Sequence, residues 1–398
     1  MNTNINYIYI AYVVLWPLIS TLFLHIDAAG RMYMILAATA IVFNINKPPF
    51  ISTIKKAPIA TWLCWCIYVA VVWVLIGKNS TDLNNTQFVF LKIFLPLISM
   101  IVSCYETYKN PRKFIRFLLL LYITYSIIGA LFEQGSNVSW ERGGAILGNS
   151  LPLTTVCLCF IASVCELKGW IKRYLLFICF AIAMICILTT ATRKAFLALF
   201  IIVFFWYICK NKNLSIGNIL KLLGFSIVIY YVAITVLSNT LLGGRILDAA
   251  TNENKYNTTD NVFLELLDDR AIFYIEGWFL FLKKPIFGIG LRNFMIDFHY
   301  EHPIHSEYMV QITETGIIGT ALYISFYLFI IKLILKTRHN KSNSNIFLMM
   351  LGFIGSILFI SLTTWTYEFS RYYVVFGLIV GYSSYLIQNK NEINTRNK

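Results

Sequence analysis

The sequence predicts an all-α integral membrane protein, and three observations predict it. Hydrophobic residues make up 58% of the 398 positions, charged residues only 13%, and the mean hydropathy is +0.68. Soluble domains average about 45–50% apolar and about 25% charged residues. Second, the apolar residues gather into runs of the length, about 20 helical residues, that crosses a hydrocarbon core of ~30 Å. Third, Lys and Arg concentrate in alternate connections between those runs, as they do when one side faces the cytoplasm. A water-soluble globule, a disordered chain and a disulfide-stapled secreted module are excluded. The net charge of +14 is then a topology signal and makes no case for nucleic acid.

Taken in order, the apolar runs give twelve expected spans: 6–24, 32–46, 57–76, 88–104, 114–132, 151–167, 174–191, 194–209, 219–237, 316–335, 346–363 and 373–388. One set of connections carries Lys47, Lys55 and Lys56; Lys109, Arg112, Lys113 and Arg116; Lys168, Lys172 and Arg173; Lys210, Lys212 and Lys221; Lys332, Lys336, Arg338 and Lys341; and the tail cations Lys390, Arg396 and Lys398. The opposite set is short and nearly uncharged apart from one long segment. The expected organisation is nine spans over 1–237, a large outer loop over 238–315, three spans over 316–388 and a tail at 389–398. Both termini are expected inside the cell and the long loop outside. No basic residue precedes Arg31, so the charged n-region of a cleavable signal peptide is missing. The nine cysteines lie in or beside apolar runs, and pairs such as Cys64 and Cys66 point to different helix faces, which fits packing rather than a metal site.

The outer segment is water-facing and structured, since 11 of the 19 acids fall between Asp248 and Glu314. Asp260 or Asn261 is placed to cap a helix running to about Leu282. Phe263, Leu264, Leu267, Trp278 and Phe279 alternate there with charges, the pattern of an amphipathic helix at a membrane interface. Pro285-Ile286-Phe287-Gly288-Ile289-Gly290 then breaks it. Pro303 is placed to open a second helix ending at Gly316.

The cations on the outer side are the most informative candidates for chemistry. Lys92 sits near the outer end of the fourth span, Arg142 before the sixth, Arg193 at the start of the eighth, and Arg270 on the amphipathic helix. Helical spacing gives none of them an acid three or four residues away. Charges at membrane depth are costly without a partner, so four of them on one leaflet suggest a bound anion, a diphosphate by preference. Interfacial anchoring and snorkelling to lipid headgroups are the plain alternatives. Histidine is the side chain best placed to take a proton near neutral pH. His305, in Tyr300-Glu301-His302-Pro303-Ile304-His305-Ser306-Glu307-Tyr308, is therefore a candidate base, with Glu307 in support. His299, His302 and His305 are spaced three apart, but Pro303 interrupts them and no cysteine or fixed carboxylate completes a metal spacing. Gly288 and Gly290 are not a dinucleotide loop, since no βαβ unit surrounds them; a tight turn offering backbone amides to a ligand or lipid is expected.

These residues resemble the O-antigen ligase/polymerase superfamily of membrane glycosyltransferases, most clearly over 262–322. Arg270, then Gly277-Trp278, Phe281-Leu282, Pro285, Gly288-Ile289-Gly290-Leu291 and Phe294, looks like the family's segment on the large outer loop. His305-Ser306-Glu307-Tyr308 leading to Glu314-Thr315-Gly316-Ile317-Ile318-Gly319 looks like its histidine helix, with Ser306 where the family often has Asn. Thr189 to Ala195 resembles its outer turn with an arginine, Arg142-Gly143-Gly144 with Gly148-Asn149 resembles its loop before the sixth span, and Phe369 to Gly377 is a weaker match. The resemblance implies a GT-C-like architecture in the inner (cytoplasmic) membrane with a periplasmic site. It implies a donor glycan on undecaprenyl diphosphate, transferred whole to an acceptor hydroxyl. His305 would deprotonate that hydroxyl; Arg193 and Arg270, with Arg142 and Lys92 as helpers, would neutralise the departing diphosphate. No metal or other cofactor is expected. The implied partners are the lipid-linked oligosaccharide, an acceptor glycan or lipid A-core, and a chain-length regulator and a flippase.

The acceptor stays open at this point. A polymerase joins one lipid-linked chain to another, whereas a ligase moves finished polymer to lipid A-core; the compact outer loop and the His305–Gly319 pattern lean toward the polymerase. Twelve spans also describe transporters of lipid-linked sugars, but those usually show internal repeats and midplane charges, and neither is visible in this sequence.

Overall fold

The computed structural model describes residues 2–22, 26–76, 90–135, 150–167, 169–190, 192–210, 270–294, 304, 306–338, 344–364, 366–367 and 369–396. Among them every regular element is helical: α1 Asn2–Leu22, α2 Ile26–Val42, α3 Pro48–Ile54, α4 Ala57–Ile76, a π-helical turn Phe90–Phe94 leading into α5 Leu95–Lys109, α6 Pro111–Gly135, α7 Ser150–Val164, α8 Gly169–Thr190, α9 Arg193–Lys210, α10 Arg270–Lys283, α11 Glu307–Lys336, α12 Ser344–Ser361 and α13 Ser370–Arg396. Four of the described helices contain stretches long and apolar enough to cross a membrane: Ala57–Ile76, Pro111–Leu131, Gly169–Ile187 and Glu307–Lys336. Shorter apolar helices accompany them, including Leu151–Val164 and Ile346–Ser361. The described residues are all-helical and fit an integral membrane protein. The ninth expected span, 219–237, and the loop up to Asp269 lie outside the described residues.

Two boundaries differ from the expected spans for identifiable reasons. The second helix runs Ile26–Val42 rather than 32–46, because the Asn44 amide takes the Ala40 carbonyl at 2.6 Å and ends it. Pro48 and Pro49 then open the short α3. At the fourth expected span, Pro96 has no N–H for the carbonyl of Lys92, and the chain enters α5 through the π-helical turn.

Close helix contacts rest on small residues. A Cβ on Gly377 would stand 2.3 Å from the Met100 carbonyl oxygen, and one on Gly381 would stand 2.5 Å from that of Cys104. Gly377 and Gly381 are one turn apart, so they let the backbone of α13 lie directly on α5, as small residues do in membranes. Ser103 reinforces the pair by donating to the Val374 carbonyl at 2.6 Å. On the other flank Phe160 of α7 packs on Phe353 of α12 at 4.6 Å between ring centroids, and Gly352 admits the ring of Phe205. A central aromatic stack joins α4, α11 and α13: Trp62 lies 4.5 Å from Trp65, 4.7 Å from Phe326 and 4.9 Å from Tyr373.

One end of the bundle gathers much of the described connecting charge. Asn6 donates to Glu106 at 2.6 Å, Asn44 to Asn6 at 2.7 Å and Lys47 to Asn44 at 2.6 Å. Arg112 pairs with Glu166 at 2.6 Å, Tyr382 donates to the same carboxylate, and Tyr108 bonds Gln388. The exposed Arg112–Glu166 pair adds little stability, but it shows that these cationic connections share one side.

The opposite end is organised by a break at Gly316, whose φ of 64° and ψ of −169° interrupt α11. A Cβ there would meet the Ile286 carbonyl oxygen at 2.4 Å. A left-handed φ alone costs a non-glycine residue about 1–2 kcal/mol. Replacing Gly316 by Ala is therefore expected to lower the melting temperature and the yield of monodisperse protein sharply. The matched control is Gly355→Ala in α12, where a Cβ meets nothing within 4 Å and the helix gains about 0.5–1 kcal/mol. Thermal melts of both variants in the same detergent would check the contrast.

Candidate functional site

The break frees peptide groups, and a turn from another part of the chain takes them. Ile289 N–H donates to the Thr313 carbonyl at 3.1 Å and Gly290 N–H to that of Glu314 at 2.9 Å. In return Ile317 N–H donates to Pro285 at 2.9 Å. Gly288 has φ +73°, and a Cβ on it would lie 2.4 Å from the Glu314 oxygen. The glycine pair thus forms the tight turn read from the sequence, but its amides serve α11: Gly288 N–H goes to Lys284 and the next two to the broken helix. Offering them to a ligand is not their role here. Arg292, at φ 63°, closes the turn by donating its N–H to the Glu314 carboxylate at 2.8 Å.

Past the break the chain folds back. Along one unbroken helix residues 307 and 323 would stand about 24 Å apart at 1.5 Å per residue. Instead the two halves of α11 run in opposite directions along α4: Gln311 meets Trp65 and Thr315 meets Tyr68, and after the break Gly319 lies against Tyr68 and Tyr323 and Phe326 against Trp62, which leaves Tyr323 and Tyr327 as electrostatic neighbours of Glu307. Glu307–Thr315 is thus a re-entrant segment, held against α4 by Trp65 Nε1–H donating to Gln311 at 3.1 Å and by Tyr68 O–H donating to the Thr315 carbonyl at 2.8 Å.

Glu307 is fully buried at the first position of this segment. One carboxylate oxygen accepts the Thr366 N–H at 2.5 Å, the Thr366 hydroxyl, and the Ser361 hydroxyl at 3.2 Å. A buried carboxylate needs such donors, and a helix N-terminus favours its charge. Thr366 lies in the non-helical connection between α12 and α13, so Glu307 fixes that connection at the depth of Tyr323. Tyr308 adds a bond to the Leu358 carbonyl at 2.9 Å. Lys194, the second residue of α9, bonds Thr364 two residues away from Thr366.

The sequence-derived site residues fall out as follows. Arg193 is the first residue of α9, after a two-residue link from α8, so its backbone sits beside Lys194 at the end where the 362–369 connection is held. Arg270 is the first residue of α10. Two turns on, the Gly277 carbonyl accepts from Thr313 at 3.0 Å, which seats α10 on the re-entrant segment. The side chains of Arg193 and Arg270 lie outside the described residues, as do Arg142, His299, His302 and His305. Ile304 and Ser306, which flank His305 in sequence, are both buried, Ile304 against Gly277. The structure therefore ties the start of α9 to Glu307 through the 364–366 connection and seats α10 on the re-entrant segment at Gly277, whereas Gly288 and Gly290 lie at the other end of that segment, at Glu314–Gly316, about 10–13 Å from Glu307 at 1.5 Å per residue. Lys92 is half-buried in the π-helical turn, beside Ile93, whose carbonyl accepts from Cys66 in the middle of α4; that is deeper than its expected place near the outer helix end.

Arg371 is the residue that sequence reasoning passed over. It is the second residue of α13 and only 7% exposed. It donates to the Tyr125 hydroxyl at 2.6 Å and sits 5.2 Å from the centre of that ring. The signal was present, a lone arginine at the same end of an apolar run, but Glu368 three residues earlier supplies an apparent partner in sequence.

The described residues form an all-helical membrane protein with a broken, re-entrant helix and a buried carboxylate at its tip. Residues 177–324 are similar to the family model described as O-antigen ligase. The match covers Arg193, Arg270, Gly288, Gly290, His305, Glu307 and Gly316, and leaves out Lys92, Arg142 and Arg371. No curated protein matches the chain.

Removing the Glu307 carboxylate strands a buried Thr366 N–H, a loss of about 1–3 kcal/mol. Glu307→Ala and Thr366→Val are each expected to destabilise the protein. Because the residues are in direct contact, the double variant should fall short of the sum by about 0.5–3 kcal/mol. A double-mutant cycle on the purified protein measures this, and additive losses would refute the contact.

Proposed function

We propose that this protein polymerises undecaprenyl-diphosphate-linked O-antigen or related repeat units on the periplasmic face of the inner membrane. An O-antigen ligase or polymerase activity in general is supported by the family match. What supports a transferase site is the linkage of three segments: the start of α9, the α10 helix that begins at Arg270, and the buried residues Ile304, Ser306 and Glu307. The lean toward a polymerase comes from the compact outer loop and the His305–Gly319 sequence pattern.

In this mechanism His305 takes the proton of the acceptor sugar hydroxyl. The acceptor oxygen attacks the anomeric carbon of the donor glycan, the bond from that carbon to the lipid diphosphate breaks, and the electron pair leaves with the diphosphate. Arg193 and Arg270 stabilise the charge that grows on the leaving group, with Arg142 and Lys92 as helpers. Removing one such donor costs about 10²–10³ in rate. Glu307 holds the base-bearing turn and does not touch the reacting atoms. A single displacement inverts the anomeric centre. The acceptor is a second lipid-linked chain, and a flippase and a chain-length regulator are the partners that such a polymerase requires. The second reading, transfer of finished polymer to lipid A-core, is favoured by the description of the matching family as a ligase.

The glycolipid profile of a host making the cognate glycan separates the two. His305→Ala is expected to leave surface lipid carrying one repeat unit. Long undecaprenyl-linked polymer over bare core would instead establish the ligase, and ladders like those of the wild type would remove His305 as the base. Arg270→Lys keeps the charge and loses the bidentate fork; activity should fall by at least about tenfold, read as ladder formation per unit of protein. The arrangement also requires the segment around Lys255 to lie outside the cell, so a reporter fused there should score as periplasmic.

A further inference from the structure

Arg371, one of the cations outside the family match, is the most deeply enclosed cation among the described residues. It donates to one phenol and lies over the same ring, and its electrostatic neighbours among the described residues include Tyr33, Tyr122, Tyr372 and Cys157. Phenols and thiols of this kind carry no charge at neutral pH. A guanidinium does not shed its proton, and it carries five N–H donors, of which Tyr125 takes one. Buried charges at membrane depth are rare without a counter-charge. The depth here is real: Cys157 lies seven residues into α7, about 10 Å from its Ser150 end at 1.5 Å per residue. A second observation points the same way. The Tyr372 hydroxyl, next in sequence and an electrostatic neighbour of the guanidinium, is buried with no hydrogen-bond partner.

The backbone in front of Arg371 is also unusual. The connection from Leu362 to Phe369 is non-helical where described. It is drawn down to Glu307 by Thr366, tied to α9 by Thr364, and set edge-on against Trp65 through Tyr367. At membrane depth such backbone is tolerated where protein encloses it or where it lines a water-filled cavity.

We propose that Arg371, with the Tyr125 and Tyr372 hydroxyls, forms the floor of the donor site and receives the diphosphate of a polyprenyl-linked substrate. This rests on the donor assigned under the proposed function and adds a binding residue outside the matched family segment. A diphosphate supplies a negative charge that no described neighbour provides, and enough oxygens to occupy the fork, while α6, α7 and α13 keep competing water away.

The test is binding rather than transfer, so its failure is distinguishable from failure of the transferase reading. Farnesyl diphosphate is titrated against the full chain in nanodiscs containing phosphatidylglycerol, with inorganic diphosphate as a second probe. Arg371→Gln should weaken farnesyl diphosphate binding by at least about tenfold, as expected for the loss of a charge-assisted contact, and Arg371→Lys by less. Tyr372→Phe removes a hydroxyl with no partner, so it should leave the melting temperature unchanged and still weaken binding. It serves if Arg371→Gln does not fold. His305→Ala should abolish transfer and leave binding intact. Three results would overturn the proposal: affinity unchanged within about twofold in Arg371→Gln or, where that variant does not fold, in Tyr372→Phe; inorganic diphosphate binding as tightly as the lipid form; or Glu368→Gln reproducing the stability change of Arg371→Gln, with the double variant no worse, which would mark an internal ion pair.

Discussion

The architecture at the functional end depends on one exchange of backbone hydrogen bonds. Gly316 interrupts α11 inside a segment that is otherwise apolar enough to span a membrane, and an interruption there leaves peptide groups that lipid cannot satisfy. The 285–290 turn satisfies them, taking the Thr313 and Glu314 carbonyls and accepting from Ile317. Only glycine fits on either side, since each of Gly288 and Gly316 would drive a Cβ to within 2.4 Å of the other strand's backbone. Without this exchange α11 would run straight and Glu307 would be carried out of the bundle.

With it, the re-entrant segment delivers a carboxylate to the level of the Trp62, Tyr323, Phe326 and Tyr373 stack. The aromatic rings do more than fill space there. They form a low-dielectric wall in which each hydrogen bond to Glu307 is stronger than it would be in water, and in which any uncompensated charge is conspicuous. The same wall makes Glu307 and Arg371 informative. The first takes its donors from Thr366 and Ser361, whereas the second has neutral neighbours among the described residues.

Much of this was legible in the sequence. The Pro285–Gly290 break, the second helix ending at Gly316 and the span that follows all read directly from proline, glycine and hydropathy, because these are local signals. So did the clustering of connecting charge at one end, since charge asymmetry is summed over loops and survives errors at single boundaries. Three features were hidden because they are tertiary. The Gly288 and Gly290 amides read as free, since nothing local says that α11 consumes them. Glu307 read as a solvent-side acid, since the direction of a chain after a broken helix is set by what it packs against. Lys92 read as shallow, since Pro96 alters the helical register that converts sequence position into depth. Arg371 was passed over because an acid stands three residues away in sequence and offers an apparent partner.

The connection between α12 and α13 carries one more implication. It is gripped twice within three residues, by Lys194 at Thr364 and by Glu307 at Thr366, so two helices distant in sequence hold the same short strap. Neither α9 nor α11 can tilt alone without straining a buried contact of the other. Arg193 leads the first of these helices and residue 305 lies two positions before the second, so the strap acts as a crossbar that couples the two segments.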